Sequence, residues 1–313
     1  MGLAPLVSLP INSSQRGHQH DAEEFLGFLL DELHEELVKV SKQVGVTECN
    51  PAANETSEDG WLEVRPKHKL ALTRTIAVAK SPITKIFGGL LRSEFKVKNH
   101  KFASLEPCQP LQLDIQSPQV NTIVDALKQL TNPETVHGNF GTPKGISTAT
   151  ATKQVFIETL PPVLILHLKR FQYDNHGGTQ KIWKKIGYPL QLNIPKEVLS
   201  PVSRHSTLGT KYRLIGVVYH HGKSASGGHY TVDVLRQDGK NWIRFDDTVI
   251  KSVHPDEVKV DVNPKSHLQM HKNGVEDEGG WESVGNELGS AVIGNQVYSK
   301  DSKVAYILFY QRI

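Results

Sequence analysis

Residues 21–43 carry the most regular apolar pattern in the chain. Phe25, Leu26, Leu29, Leu30, Leu33, Leu37 and Val40 recur at helical spacing, with Asp, Glu and Lys on the other face. That period predicts an amphipathic helix. Asp21 stands at the N-cap position, and Glu24 three residues on makes a capping-box-like pair. From Thr47 to Gly60 the chain turns polar, which predicts a surface insertion. Beyond Lys85 the pattern becomes that of strands. Ile86–Leu91 and Glu94–Val97 read as a hairpin-like segment, and Leu111–Ile115 alternates as a half-buried strand does. Asn121–Leu130 reads as a short helix with Ile123, Val124, Leu127 and Leu130 on one side. Residues 137–152, rich in Gly, Thr and Ala, read as a loop, and Gln154–Thr159 as a strand. After Pro161-Pro162, Val163–Leu168 is an unbroken apolar run, short enough for a fully buried strand. Leu190–Ile194, Tyr212–His220, His229–Arg236, Trp242–Asp246 and Val304–Tyr310 follow as strands. Residues 259–302 are polar and Gly-rich and read as a long, loosely ordered insertion. The expected class is α+β: a helical part near the start, then antiparallel strands.

Composition narrows the function classes. At 313 residues the chain is large enough for one domain with subdomains or for two domains. A formal net charge of +3 gives no reason to expect a nucleic-acid partner. No run of 18 apolar residues exists, so neither a transmembrane helix nor a membrane partner is expected. The first five residues make a poor signal peptide. Cys49 and Cys108 are the only cysteines and cannot form a disulfide framework. The expectation is a monomer in a reducing compartment, the cytoplasm or also the nucleus.

Candidate chemistry concentrates late in the chain. Gly227-Gly228-His229-Tyr230 supplies an imidazole, the side chain best suited to exchange a proton near neutral pH. Trp242-Ile243-Arg244-Phe245-Asp246-Asp247 follows across a turn marked by Asp238-Gly239. A hairpin of that length places Asp246 where it can orient His229. If the strand continues, Asp247 points to the opposite face; alternatively it meets substrate or helps to stabilise an oxyanion. On spacing alone, a His beside a Gly pair and an Asp pair at a strand end are more often turn and surface features than catalytic ones.

Several segments together resemble one family. Gly17-His18-Gln19-His20-Asp21-Ala22-Glu23-Glu24-Phe25-Leu26, Leu160 to Phe171, Tyr212 to Gly222, Gly227 to Tyr230, Trp242 to Asp247 and Ala305 to Tyr310 resemble the conserved boxes of the ubiquitin-specific proteases, papain-like cysteine deubiquitinases. They run in family order. Ser81 to Gly89 and Leu111 to Ser117 further resemble the branch typified by ubiquitin-specific peptidase ten. The resemblance implies a single catalytic domain with a right-hand architecture. Its partial helical thumb would be 17–45, its β fingers about 85–158 and its antiparallel β palm 159–312. It implies ubiquitin and ubiquitinated proteins as partners, with the ubiquitin tail between thumb and palm. His229 would be the general base and Asp246 its orienter. Gln19, Asp21 and Glu24 would line the tail cleft, and Tyr230 would contact the tail beside the base. Helix capping and a solvated face remain the other reading of Asp21 and Glu24.

Two departures qualify that picture. The family nucleophile lies in a Gly-Asn-Thr-Cys-Tyr box upstream of the Gln19 box, and none of the residues before Gly17 is cysteine. A reactive thiolate wants a helix start or a neighbouring cation, and neither Cys49 nor Cys108 has that context. The chain is therefore expected to be an N-terminally truncated, inactive fragment, with a catalytically dead ubiquitin-binding protein as the alternative. The family's two Cys-x-x-Cys finger pairs are also missing: the first position reads Val97-Lys98-Asn99-His100, and 137–156 holds no cysteine. No structural zinc and no cofactor is expected.

Overall fold

The computed structural model describes residues 21–44, 61–64, 71–75, 79–97, 100–142, 145–173, 179–205, 209–224, 227–261, 290–293, 296–299 and 303–313. The 47–60 insertion, Gln19 and Cys49 lie outside the described residues, as does most of 259–302. In chain order the elements begin with α1 (Ala22–Gln43), β1 (Trp61–Val64), β2 (Ala71–Thr75), α2 (Pro82–Phe87), β3 (Gly89–Val97) and β4 (His100–Cys108). Then come β5 (Leu111–Asp114), α3 (Ile123–Leu130), β6 (Glu134–Thr142), β7 (Gly145–Thr159), β8 (Val163–Lys169), β9 (Phe171–Tyr173) and β10 (Thr179–Lys181). The chain continues through β11 (Gln191–Asn193), β12 (Lys211–Ser224), β13 (Gly227–Leu235), β14 (Trp242–Asp246) and β15 (Val249–Val253). It ends with α4 (Pro255–Val258), β16 (Ser290–Ile293), β17 (Gln296–Ser299) and β18 (Val304–Arg312).

Two sheets organise these elements. One has six strands in the order β1-β2-β4-β3-β7-β6, antiparallel except for the parallel pair β2–β4. The other runs β15-β14-β13-β12-β18-β8-β5, with β11 also on β12, and is antiparallel except for β5–β8. The class is α+β, as the pattern predicts. β5 and α3 interrupt the six-stranded sheet in sequence, but β5 joins the second sheet.

Burial on both faces explains the unbroken run at Val163–Leu168. Leu164, Leu166 and Leu168 face the main core, shared with Leu127, Tyr212 and Tyr310. Ile165 faces the other way, into a smaller cluster with Leu30, Tyr306 and Ile307. That smaller cluster is where α1 lies on the sheet. Among the described residues Leu30 is the one fully buried side chain of α1, whereas Phe25 and Val40 are 49% and 52% exposed. His34 Nδ1 and Ser81 Oγ, 2.7 Å apart, tie α1 to α2.

Two local expectations are corrected. Residues 137–152 form most of a long hairpin, β6–β7, rather than a loop. Gly and Ala weaken a strand signal when read alone, but here each described position of 137–152 pairs across the hairpin. Ile86 and Phe87 end a helix instead of opening a strand. Ser81 caps that helix in a reciprocal box with Thr84, with Pro82 in its first turn. The start of the 259–302 segment is fixed too, because Val260 exchanges backbone hydrogen bonds of 3.0 and 3.1 Å with Tyr188.

Candidate active site

The hairpin β12–β13 sets His229 directly opposite His221, with His220 opposite Tyr230. The register shifts between His221 and Ser224, and Gly222 takes a φ of 95°, which favours glycine. Gly228 is needed for close approach. A Cβ there would lie 2.3 Å from the His221 carbonyl oxygen and 2.6 Å from His220 Nε2. The glycine before the imidazole is therefore a packing requirement.

The next hairpin brings the carboxylate. Asp238 accepts from the Lys240 and Asn241 amides at 2.9 and 3.0 Å, and Gly239 sits at φ 70°. These donors hold the Asp238 carboxyl down to about 2. Val232 pairs with Phe245, so Asp246 is a diagonal neighbour of His229 on the adjacent strand. His229 Nε2 and Asp246 Oδ1 are 2.5 Å apart. That bond holds the Asp246 carboxyl below its ordinary value. A carboxylate accepts, so the Nε2–H tautomer is the one it selects, and Nδ1 is left with its lone pair free. Opposite, His221 donates to or accepts from Thr231 Oγ1 at 3.0 Å. Burial, then the neighbouring His229, disfavours its charged form.

Asp247 differs from expectation. The strand ends at Asp246, and Asp247 enters the two-residue turn before Val249 at φ 49°. It does not point to the far face. Its Oδ2 lies 4.0 Å from His229 Nδ1, with the side chain 80% exposed. The turn, which Asp tolerates better than most residues, rotates it to the imidazole's free edge. His229, Asp246 and Asp247 are the group among the described residues whose ligand atoms all fall within 4.8 Å of one another. The 2.5 Å separation within it is a hydrogen bond and would have to open before both groups could hold one ion.

Against Tyr306 and Tyr230, the residue after His229, the start of α1 docks on the sheet through Asp21. Its carboxylate accepts the Glu23 amide at 2.8 Å, which is the cap. It also accepts the Tyr306 hydroxyl at 2.8 Å and the Tyr230 hydroxyl at 3.2 Å. Tyr230 Oη in turn accepts the Ala22 amide at 3.3 Å. Burial and the Asp21 charge push both phenols well above their ordinary range. Asp21 thus caps the helix and also ties it to the sheet. Glu24 is exposed. Sequence reasoning passed over Tyr306 and Glu23. Tyr306 lies inside a recognised box but carries no local signal of its partner, 285 residues away. Glu23 Oε1 is 3.4 Å from Gln112 Nε2 and 3.7 Å from His167 Nδ1. Burial lifts the Glu23 pKa and drops that of His167 to about 4, so the two are not an ion pair at neutral pH.

Cys108 lies elsewhere. It ends β4, opposite Gly89 in the six-stranded sheet, with its thiol donating to the Pro110 carbonyl at 3.5 Å. Burial pushes that thiol up to about 11, which is the opposite of activation.

Comparisons with known proteins agree with one another. A family model described as ubiquitin carboxyl-terminal hydrolase matches residues 8–310. The chain is 46% identical over 260 residues to the probable ubiquitin carboxyl-terminal hydrolase 3 of Schizosaccharomyces pombe, covering 76% of this chain and 50% of that protein. It is 42% identical over 269 residues to ubiquitin carboxyl-terminal hydrolase 10 of Rattus norvegicus, covering 80% and 34%. The chain thus spans half or less of these relatives. Its fold is similar to the SAGA Ubp8/Sgf11/Sus1/Sgf73 DUB module bound to ubiquitin aldehyde, at TM-score 0.62 and 23% identity, covering 97% of this chain and 51% of that one. A family model that covers nearly the whole chain, joined to relatives above 40% identity, places the protein: it belongs to the ubiquitin carboxyl-terminal hydrolase family, among ubiquitin-specific proteases similar to hydrolase 10.

Proposed function

We propose that this chain is the fingers, palm and part of the thumb of a thiol-dependent deubiquitinase, which cleaves the bond at the C-terminal glycine of ubiquitin. The observation that carries the reading is the His229 Nε2–Asp246 Oδ1 bond of 2.5 Å, which leaves Nδ1 as the free base. In that reaction Nδ1 takes the thiol proton and the thiolate attacks the glycine carbonyl. The C–N bond then breaks and the imidazolium returns its proton to the leaving amine. Water, deprotonated by the same nitrogen, then adds to the thioester carbonyl, the C–S bond breaks to free the ubiquitin carboxylate, and the imidazolium is left to pair with the restored thiolate. Asp246 stabilises the imidazolium throughout. Asp247, near Nδ1, faces the reacting groups. Asp21, Glu23 and Tyr230 present acid and hydroxyl groups beside the base, which suit a basic peptide ending in two glycines.

The thiol is not assigned to this chain's own cysteines. Cys108 is half-buried, lies in the six-stranded sheet rather than the sheet of His229, and is raised to about 11. We propose that these 313 residues bind ubiquitin without hydrolysing it, in the cytoplasm or nucleus. Calorimetry with ubiquitin and turnover of a ubiquitin C-terminal fluorogenic amide test this together. Binding without turnover is expected. Turnover that disappears on Cys49→Ser or Cys108→Ser would overturn the assignment of those thiols. Where the family's cysteine box is present in the same chain, His229→Ala should lower turnover by about 10²–10⁴-fold with little change in binding. Full turnover in that variant would remove His229 from the mechanism.

A further inference from the structure

The turn that carries His229 has an irregular backbone, and its carbonyls need partners. Two of them are met from outside the sheet. Lys181, on the short ribbon strand β10, donates from Nζ to the Gly222 carbonyl at 2.8 Å and to the His220 carbonyl at 3.1 Å. The third contact is His220 Nδ1 at 2.7 Å. Three donors and three acceptors exhaust the ammonium. Lys181 is 5% exposed. Its Nζ also lies 4.1 Å from the centre of the Trp183 ring, and Arg170 is the other cation facing it.

The contact with Nδ1 decides the state of His220. Burial, then Arg170, lowers the Lys181 pKa to about 7; in its charged form the amine can only donate, so Nδ1 then accepts and the ring is the neutral Nε2–H tautomer. Burial, then Lys181, holds His220 down to about 4, consistent with that state. Asp21 is the acid that opposes this, and His221 and Arg170 add to it. The Nε2 edge of His220 lies against Gly228, where an added Cβ would approach within 2.6 Å. The same ring meets Tyr230 edge-on at 4.9 Å and Phe171 at 5.2 Å. Lys181 thus grips the turn on both sides. It holds Gly222 directly on the β12 side and reaches Gly228, next to His229, through the His220 ring.

We propose that Lys181 is a positioning residue that fixes Gly222 and Gly228, at the facing ends of β12 and β13, and through them the orientation of His229 against Asp246. A buried amine with no carboxylate partner among the described residues is costly, so a role confined to filling space would be met better by an apolar side chain. The inference rests on His229 being the base, but its test reads the geometry of the turn and needs no hydrolysis.

The test compares the chain with Lys181→Met, which keeps length and loses all donors, and with Lys181→Arg, which keeps charge and donors. Imidazole NMR follows the titration of His229 Cε1, and amide exchange follows residues 221–229. In Lys181→Met the His229 midpoint should move by about half a pH unit or more. Amide exchange at His221, Gly222 and His229 should rise about tenfold or more, with β8 and β18 unchanged. Lys181→Arg should keep most of the original titration. A folded Met variant with an unmoved His229 titration overturns the proposal, even if its melting temperature falls. If the Met variant does not fold, the Arg variant decides: a retained His229 titration supports the brace, and a displaced one overturns it. If His229 were later shown not to be the base, a moved turn would still stand, so the two failures are distinguishable.

Discussion

Asp21→Ala offers a sharp test of how α1 is held beside the site. The substitution removes three acceptor roles: the cap to the Glu23 amide at 2.8 Å, the Tyr306 hydroxyl at 2.8 Å and the Tyr230 hydroxyl at 3.2 Å. A lost N-cap costs about 1 kcal/mol. A hydrogen bond to a charged group is worth about 1.5–3 kcal/mol. Partial exposure of Asp21 and the second role of Tyr230 at Ala22 place the phenol terms at the low end, so the expected loss is about 3–4 kcal/mol. Tyr306 is 3% exposed, and Tyr306→Phe alone should lose about 1.5–2 kcal/mol. Once Asp21 is gone the Tyr306 hydroxyl has nothing to donate to, so adding Tyr306→Phe should change little. The double variant should therefore sit near Asp21→Ala, a coupling of about 1.5–2 kcal/mol. Urea unfolding at constant m-value measures all four proteins. A coupling below about 0.5 kcal/mol would show that the carboxylate and the phenol act independently and would refute the latch.

Two further outcomes follow from the same geometry. His167 and His220 are both held near 4 in the fold, below the ordinary 6.5. Between those values the unfolded chain binds protons that the folded chain refuses, so stability falls as pH drops through that window. His167 has neither ring nitrogen hydrogen-bonded among the described residues, so His167→Phe should be near neutral at pH 7 and should flatten that acid loss by about 2–3 kcal/mol. Unfolding midpoints at pH 7 and 4.5 decide it, and an unchanged acid slope would count against a neutral buried His167. Gly228→Ala should lose about 1–3 kcal/mol, because the added methyl meets the His221 carbonyl at 2.3 Å. Gly227→Ala, with open space at its Cβ, should behave as the parent in thermal unfolding. Equal losses in the two would mean that the turn is not packed as described.

What the sequence disclosed and what it hid divide by the range of the contact. α1 was legible because its apolar period and its Asp21 cap lie within one short window. β8 was legible because burial on both faces leaves an apolar run with no gaps. The β6–β7 hairpin was hidden, since its Gly and Ala residues dilute the strand preference of its Thr residues and β7 is ordered by pairing with β3. The same rule separates the parts of the site. His229 and Asp246 are joined by one hairpin, and Asp-Gly marks its turn. Tyr306 and Lys181 reach the site from 285 and 39 residues away, and no local pattern announces either partner.

Asp247 shows why the last step of such a reading needs the turn itself. Alternation along a strand assigns a face only while the strand lasts. One residue past its end, a positive φ reverses the assignment and brings Asp247 to the imidazole's free nitrogen. Asp246 holds one edge of His229 as the last paired residue of β14, and Asp247 meets the other as the first unpaired one. The dyad is therefore a property of where the strand stops. Lengthening β14 by a single residue would carry Asp247 to the far face and leave the free edge of His229 without its neighbouring carboxylate.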